Sequence, residues 1–574
     1  SFGRLLEREA VNLANYQEGL LLAREASFSR RPILECHLAY ALLRGLKRHA
    51  GSCSVVDGLD GLKLRFDKLL AISIALAKVI RKETGKKRVG IILPPGRAGL
   101  LANLAVLLAG KIPVNLNFTT GAGAVESAIR QADLDRFITV DAFVRKMGHF
   151  PWPPTKQILF LERVIPALKV RIVLWLLLSR MLSARALAML LSIPRKGEGE
   201  AVLLFTSGSS GEPKGVPLSH RNLLANVNQF SSRLDLNLDD SLLACLPLFH
   251  SFGSTVTLWY PIIEGVDMVT YPNPLEAGKL AKLIDEHGIN LVLATPTFLR
   301  GYLRKATREQ LSTTSLIVTG AEKLPPKTAE AFEKRFGKPV LEGYGLTETS
   351  PVTNVNLPDP RPDAGNPKSP VIPATRPGSV GQMLPGIGIR ITDPDTGELF
   401  PLHRSGMIWL KGANIFEGYL DNPDLTKEVI QNGWLRTGDI GRMDEDGFLY
   451  IEGRLSRFSK IAGEMVPHET IEHAITKELE LDSEHERKVA IVGLPDDTKG
   501  EVIVLLTAIE GGLDATELRY RLLEAGVPNL WIPRTVVQVE SIPMLASGKL
   551  DIKSCEEAAG KGTGKKGQGA RGKG

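Results

Sequence analysis

Residues 201–205, Ala-Val-Leu-Leu-Phe, form a short apolar run of the kind that makes a buried strand. The next ten residues, Thr206-Ser-Gly-Ser-Ser-Gly-Glu-Pro-Lys214-Gly215, hold three glycines, three serines and a threonine around one lysine. Gly and Pro exclude a regular element there. Glycines let backbone N–H groups approach an anion closely, while hydroxyls and a lysine add donors and charge. Residues 216–222, Val-Pro-Leu-Ser-His-Arg-Asn, then read as a strand turning into a helix. The stretch is therefore read as a phosphate-gripping loop behind a strand rather than a flexible Ser/Gly linker. It lacks the G-x-x-x-x-G-K-[ST] spacing, so it is not the phosphate loop of the common nucleotide-binding fold.

The surroundings follow the same α/β logic. Residues 1–50 read as amphipathic helix. From Arg88 short apolar strands alternate with helices: 89–93, a helix over 98–109, 112–114, then 242–246, 291–294 and 315–318. That is the rhythm of a parallel sheet covered by helices. Residues 357–377, rich in Pro and Asp, mark a long loop, and strands with Gly turns follow up to Gly453-Arg454. A compact run with strands at 489–492 and 503–506 and a helix at 515–524 reads as a separate small α+β domain. A chain of 574 residues is too long for one core, so two or more domains are expected. The division is 1–453, 454–559 and a Gly/Lys tail, 560–574, expected to be disordered.

The net charge of +7 owes five basic groups to that tail, leaving the body near +2, which does not call for a nucleic-acid partner. Gly562-x-Gly564-x-x-Gly567 matches a dinucleotide fingerprint, but no strand precedes it, and the match is discarded as chance. The four cysteines form no C-x-x-C pair, which fits a reduced, cytosolic setting. No signal peptide is recognisable, and Ser at position 1 points to a fragment or a processed product. Residues 164–196 stand apart: rich in Leu, Val, Ile and Trp and studded with Lys169, Arg171, Arg180, Arg185, Arg195 and Lys196. The uncharged stretches there, 172–179 and 186–194, are far short of the roughly twenty residues that cross a bilayer. A basic apolar helix suits an anionic membrane surface, such as the inner face of the cell membrane. At helical spacing, however, Lys169 and Arg180 fall together and Arg171 and Arg185 opposite. A peripheral membrane helix and an ordinary core or lid helix both remain open.

The Thr206–Gly215 string resembles the signature loop of the adenylate-forming superfamily, which holds acyl-CoA synthetases, luciferases and peptide-synthetase adenylation domains. The resemblance extends over about residues 35–553 and implies ATP and Mg²⁺. It gives the phosphate grip to Thr206, Ser207, Gly208, Ser209, Ser210, Gly211 and Lys214. Tyr344-Gly-Leu-Thr347-Glu348 resembles the Y-G-x-T-E motif, in which the tyrosine stacks on adenine, the threonine meets a phosphate and the glutamate binds Mg²⁺. A carboxylate suits that hard ion, and Thr206 with Glu348 is the metal-binding pair implied. Gly320-Ala321-Glu322 sits where the superfamily places its adenine-binding loop. Trp434-Leu-Arg-Thr-Gly-Asp439 resembles W-x-x-T-G-D, whose aspartate takes the ribose hydroxyls, and Arg454 matches the Gly-Arg pair before the inter-domain hinge. Pro543-Met-Leu-Ala-Ser-Gly-Lys549 resembles the loop that carries the adenylation lysine, with Leu545 in place of its usual threonine. Pro247-Leu-Phe-His250 resembles a P-x-x-H motif whose histidine lines the acyl entrance. The absence of any acidic residue over 247–253 implies an acid without an α-amino group.

The fold implied is a large helix-covered β-sheet domain plus a small mobile C-terminal α+β lid. The string Gly453-Arg-Leu-Ser-Arg-Phe-Ser-Lys-Ile-Ala-Gly-Glu-Met-Val466 narrows the resemblance to the acyl-ACP synthetase half of the bifunctional 2-acylglycerophosphoethanolamine acyltransferase family. Ser456 stands where most relatives carry Asp or Lys. None of the ten histidines begins the H-x-x-x-x-D motif of the acyltransferase half. The implied reaction joins a fatty acid to AMP, then to a phosphopantetheine thiol of acyl carrier protein or CoA. Carrier protein is favoured, with Arg457 and Lys460 as basic contacts to it. A long-chain acyl-CoA synthetase, an aryl-acid ligase and a non-catalytic binding protein of the same fold are the alternatives.

Overall fold

The computed structural model describes residues 13–206, 212–234, 240–360, 373–461, 464–481, 487–496, 500–544 and 550–563. A six-stranded sheet has the spatial order Ile158–Phe160, Phe137–Thr139, Arg88–Ile91, Ile112–Asn115, Glu200–Thr206, Lys214–Ser219. All neighbours are parallel except the last pair. Ala201 to Leu204 are all fully buried, as befits a strand covered on both faces. The phosphate-loop string thus begins at the end of one strand, and its last residues open the antiparallel neighbour, with Thr206 opposite Lys214. The strand passes into the helix His220–Ser231 through a cap: Asn222 N–H donates to Ser219 Oγ at 3.2 Å.

A nine-stranded sheet has a parallel centre running Leu341–Gly345, Leu316–Thr319, Leu291–Ala294, Ser241–Ala244, Asp267–Thr270, Ser54–Asp57. Antiparallel strands close both edges. In open parallel sheets, ligands bind beyond the carboxyl ends of strands. Those ends carry the strings at 247–253, 319–322 and 344–348. A third sheet is antiparallel and includes Gly406–Gly412, Trp434–Met443 and Leu449–Arg454. It sets Asp439 directly opposite Arg454. Among the described residues of 357–377 no helix or strand forms, matching the loop expected there.

Beyond Arg454 the fourth sheet contains Phe458–Ile461, Glu464–Pro467, Val489–Asp496 and Gly500–Thr507, with Thr535–Gln538 added parallel to Gly500–Thr507. Its core packs strand residues such as Ile491 and Leu505 against the helices His468–Glu478 and Ala515–Glu524. The helix Ile552–Thr563 runs through the first four residues of the segment read as disordered. It does so because Cys555, Ala559 and Gly560 are buried, Cys555 and Ala559 against the opposite face of the sheet from Val492 to Leu506. A Cβ at Gly562 would lie 2.5 Å from Val537, so this close helix–sheet approach needs glycine.

Residues 164–196 do not form one helix. They fold into the end of Leu161–Ala167, then Lys169–Met181 and Ala184–Leu190. Pro166 lies within the first, and residues 182–183 separate the other two. No helix among the described residues is long and apolar enough to cross a membrane.

Candidate active site

Asp439 is the electrostatic centre of the site. Only 3% of it is exposed, in the strand Trp434–Met443. Tyr344 Oη donates to its Oδ2 at 2.5 Å, and Arg454 Nε to its Oδ1 at 2.8 Å. Burial pushes the Asp439 carboxyl up from its ordinary value, opposed by the Arg454 guanidinium and the Tyr344 hydroxyl. Arg454 is itself raised, chiefly by Asp439. Tyr344 is pushed far above the usual phenol range by burial and by the facing carboxylate. It therefore stays a donor at any working pH. The result is a buried carboxylate with donors on both oxygens, beside a half-exposed arginine.

Three residues after Tyr344, the short 3-10 turn Thr347–Thr349 presents the next two candidates. Leu346 N–H is capped by Thr349 Oγ1 at 2.9 Å. Gly345 sits so close to the Pro351 carbonyl that a Cβ would come within 1.8 Å of it, which fixes glycine at that position. Thr347 Oγ1 lies 3.5 Å from Ser251 Oγ, so the Y-G-x-T-E and P-x-x-H strings meet. Glu348 Oε1 accepts from Tyr419 Oη at 2.7 Å, and Glu348 O accepts from Phe416 N–H at 2.9 Å. Lys214 Nζ stands 5.5 Å above the Tyr419 ring, and Gly215 O accepts from Leu420 N–H at 2.9 Å. Tyr419 thus links the phosphate-loop lysine to the candidate metal carboxylate. Residues 415–420 were not singled out in the sequence. Their only local signal is an aromatic residue after a glycine in an aperiodic stretch.

Gly320 lies against the Gly343 carbonyl and the Phe252 ring, which brings the adenine-loop string to the same place. Thr319 Oγ1, immediately before it, is buried with no hydrogen-bond partner among the described residues. Ala321 takes a left-handed φ of 69°. Glu322 is exposed and accepts from Thr297 Oγ1 at 3.2 Å, turned to its own surface neighbour. His250 is exposed, its ring 4.7 Å from Phe249, which in turn meets Phe118 edge-on at 5.1 Å. Glu342, just ahead of the motif, accepts from Leu324 N–H at 3.0 Å, and burial raises its carboxyl to about 7. Ser207, Gly208, Ser209, Ser210, Gly211 and Lys549 lie outside the described residues.

One expected role is corrected. Arg457 is 5% exposed: its guanidinium binds Glu472 Oε1 at 2.5 Å and donates to Ile491 O at 2.9 Å. Glu472 also takes Arg487 and the Ile491 N–H. Arg457 is thus a satisfied buried ion pair within the small sheet unit and offers no charge to an acceptor.

The residues present fit a nucleotide with Mg²⁺. Among the described residues no cluster of three or more His, Cys, Asp or Glu forms a protein cage for a metal. Mg²⁺ does not need one, since it commonly binds through one carboxylate plus phosphate oxygens and waters. Glu348 would supply such a carboxylate, Thr206 and Thr347 hydroxyls, and Lys214 a cation. Bound there, the ion would neutralise phosphate charge.

This combination of fold and site is that of an adenylate-forming ligase. The profile of the AMP-binding enzyme family matches residues 44–420, and the chain belongs to that family. It is 29% identical over 525 residues to the long-chain-fatty-acid–CoA ligase of Bacillus subtilis (strain 168), covering 85% of this chain and 89% of that one. It is 32% identical over 323 residues to 4-coumarate–CoA ligase 3 of Oryza sativa subsp. japonica, covering 55% of this chain and 56% of that one. Among solved structures, ATP-bound MatB from Rhodopseudomonas palustris superposes with a TM-score of 0.69 at 24% identity, over 90% of this chain and 98% of that one. MenE from Bacillus subtilis with its acyl-adenylate gives 0.71 at 22% identity, over 89% and 98%.

Proposed function

We propose that the protein activates a fatty acid with ATP and passes the acyl group to a phosphopantetheine thiol. The carboxylate oxygen attacks the α-phosphorus, the bond to the β-phosphate oxygen breaks, and pyrophosphate leaves. The thiolate sulfur then attacks the acyl carbon, and AMP departs with its phosphate oxygen. In this reading Asp439 accepts both ribose hydroxyls and Tyr344 packs on adenine. Gly320 and Ala321 wall the base, while Glu322 faces Thr297 at the surface. Arg454 and Lys214 offset phosphate charge, while Thr347 and Glu348 hold the phosphate and Mg²⁺. Lys549 steadies charge on the carboxylate and α-phosphate during the first step only. His250 borders the acyl entrance. The small unit beyond Arg454 is proposed to rotate between the two steps as a lid. The observation that carries the reading is the buried Asp439 bridged to Tyr344 and Arg454, with Glu348, Tyr419 and Lys214 alongside.

Two sources of the thiol compete. The string 453–466 favours acyl carrier protein, and the name of the Bacillus relative favours CoA. The burial of Arg457 removes one basic contact from the carrier-protein case, and CoA is the acceptor proposed. Palmitate and ATP with CoA and carrier protein side by side decide it: faster thioester on CoA is expected. Faster loading of carrier protein reverses the choice, and no palmitate-dependent AMP release with either acceptor rejects the fatty-acid reading. Four free cysteines accord with a reducing, cytoplasmic setting.

A further inference from the structure

The helix Lys169–Met181 has two unlike faces. Trp175 and Ser179 are buried, and the ammonium of Lys78, from the helix Phe66–Glu83, stands 4.9 Å above the Trp175 ring. Arg180 Nη2 binds the buried Asp67 carboxylate at 2.6 Å, and Lys47 donates to the Ser179 carbonyl. These contacts fix the rotation of the helix on the protein body. The remaining face holds Val170, Val173, Leu174, Leu177 and Met181, which are 52–83% exposed. At the helical repeat the five fall within an arc of about 100°. Scattered exposed apolar residues are ordinary, but five in one unbroken stripe are not.

Charge tells what covers the stripe. Residues 164–197 contain six basic side chains and no acidic one. On the helix, Lys169 and Arg180 adjoin one border of the stripe and Arg171 lies beyond the other. With the inner face fixed by Trp175 and Ser179, these three charges of the helix flank the apolar centre. Lys169, Arg171 and Arg185 make no ion pair with a described residue. The centre is all Val, Leu and Met, without the Tyr, Trp or Arg that anchor protein–protein contacts. A second copy packed two-fold on this face would set basic residues against basic residues. We infer that this face docks on an anionic lipid bilayer, with the five apolar side chains in the acyl boundary and Lys169 and Arg171 among headgroups. The docking rests on no assumption about the reaction.

The test is flotation of the full chain with phosphatidylcholine vesicles, with and without about 30% phosphatidylglycerol. Wild type should be recovered at least about tenfold more with the anionic vesicles, and about 1 M salt should release much of it. Leu174→Glu/Leu177→Glu and Lys169→Glu/Arg171→Glu should each lose about tenfold or more in recovery. AMP release with a water-soluble short-chain acid should be unchanged in both, which separates this result from any failure of the catalytic reading. Should the apolar pair unfold early in a thermal melt, the charge pair alone decides, since both its side chains are exposed. Equal recovery with and without phosphatidylglycerol overturns the inference, as does unaltered recovery of a folded variant. So does a wild-type dimer, seen by sedimentation, that ignores vesicles and becomes monomeric in Leu174→Glu/Leu177→Glu.

Discussion

Replacing Asp439 by Asn keeps the shape of the side chain and removes its charge. In the free protein both carboxylate oxygens already accept, from Tyr344 at 2.5 Å and Arg454 at 2.8 Å. The amide keeps one acceptor and turns two hydrogens toward groups that are themselves donors. A hydrogen bond to a charged group is worth about 1.5–3 kcal/mol. Losing one such bond to a ribose hydroxyl, and misaligning the other, costs about 3 kcal/mol, or about 10²-fold in kcat/KM for ATP. Fatty-acid-dependent exchange of labelled pyrophosphate into ATP reads this directly. A folded Asp439→Asn protein whose kcat/KM for ATP stays within about threefold of wild type would refute the role. A second reading tests the electrostatics. Burial raises the Asp439 carboxyl and Arg454 opposes the rise, so Arg454→Met should raise it further. Activity that needs the ionised form should then fail at a higher pH as the medium is acidified. An acid limb that does not move, with activity merely scaled down, would show that Arg454 does not govern this carboxylate.

Three further outcomes are expected. Lys549→Ala should lose about 10²–10³ or more in pyrophosphate exchange yet still convert supplied acyl-adenylate to thioester; equal loss in both assays removes the proposed division of labour. Tyr419→Phe deletes the donor to Glu348 but keeps the ring beneath Lys214, and should lower kcat/KM for ATP by about tenfold, with Tyr419→Ala lower still; a Phe variant equal to wild type would show the link idle. Glu342, raised to about 7 by burial, is protonated in the fold at pH 5 and ionised at pH 8, whereas in the unfolded chain it ionises near its ordinary value. The unfolded chain thus binds fewer protons between those limits, and stability falls as pH rises through them. Glu342→Gln should therefore be more stable than wild type at pH 8, by at most about 3 kcal/mol, and the gain should vanish below pH 5 in denaturant melts; a gain independent of pH would contradict the burial argument.

The local chemistry of this chain was written in short stretches of sequence. Runs such as 201–205 and 291–294 are apolar throughout because their strands are buried on both faces, and they formed where expected. Thr347, Glu348, Asp439 and Arg454 stood out because their strings resemble motifs of the adenylate-forming superfamily; by itself a string such as Thr437-Gly-Asp439 reads as a turn. Partnership was not legible. Tyr419 meets Glu348 across 71 positions and Tyr344 meets Asp439 across 95. Nothing within a local window encodes such a pairing, because it depends on where separate strand ends and loops are brought. The same holds for burial. Arg457 reads as a surface cation in its string, but Glu472 and the Ile491 carbonyl enclose it. Gly560 to Thr563 read as tail, but the helix they complete has a sheet to pack on. Residues 164–196 read as one ambiguous basic helix, and only Trp175, Ser179 and the Arg180–Asp67 pair decide which side faces inward. Sequence, through its resemblance to a family, named the groups proposed to grip phosphate, ribose and metal. Tertiary structure decided which are desolvated and paired, because burial and long-range contact belong to the packed chain rather than to any segment of it.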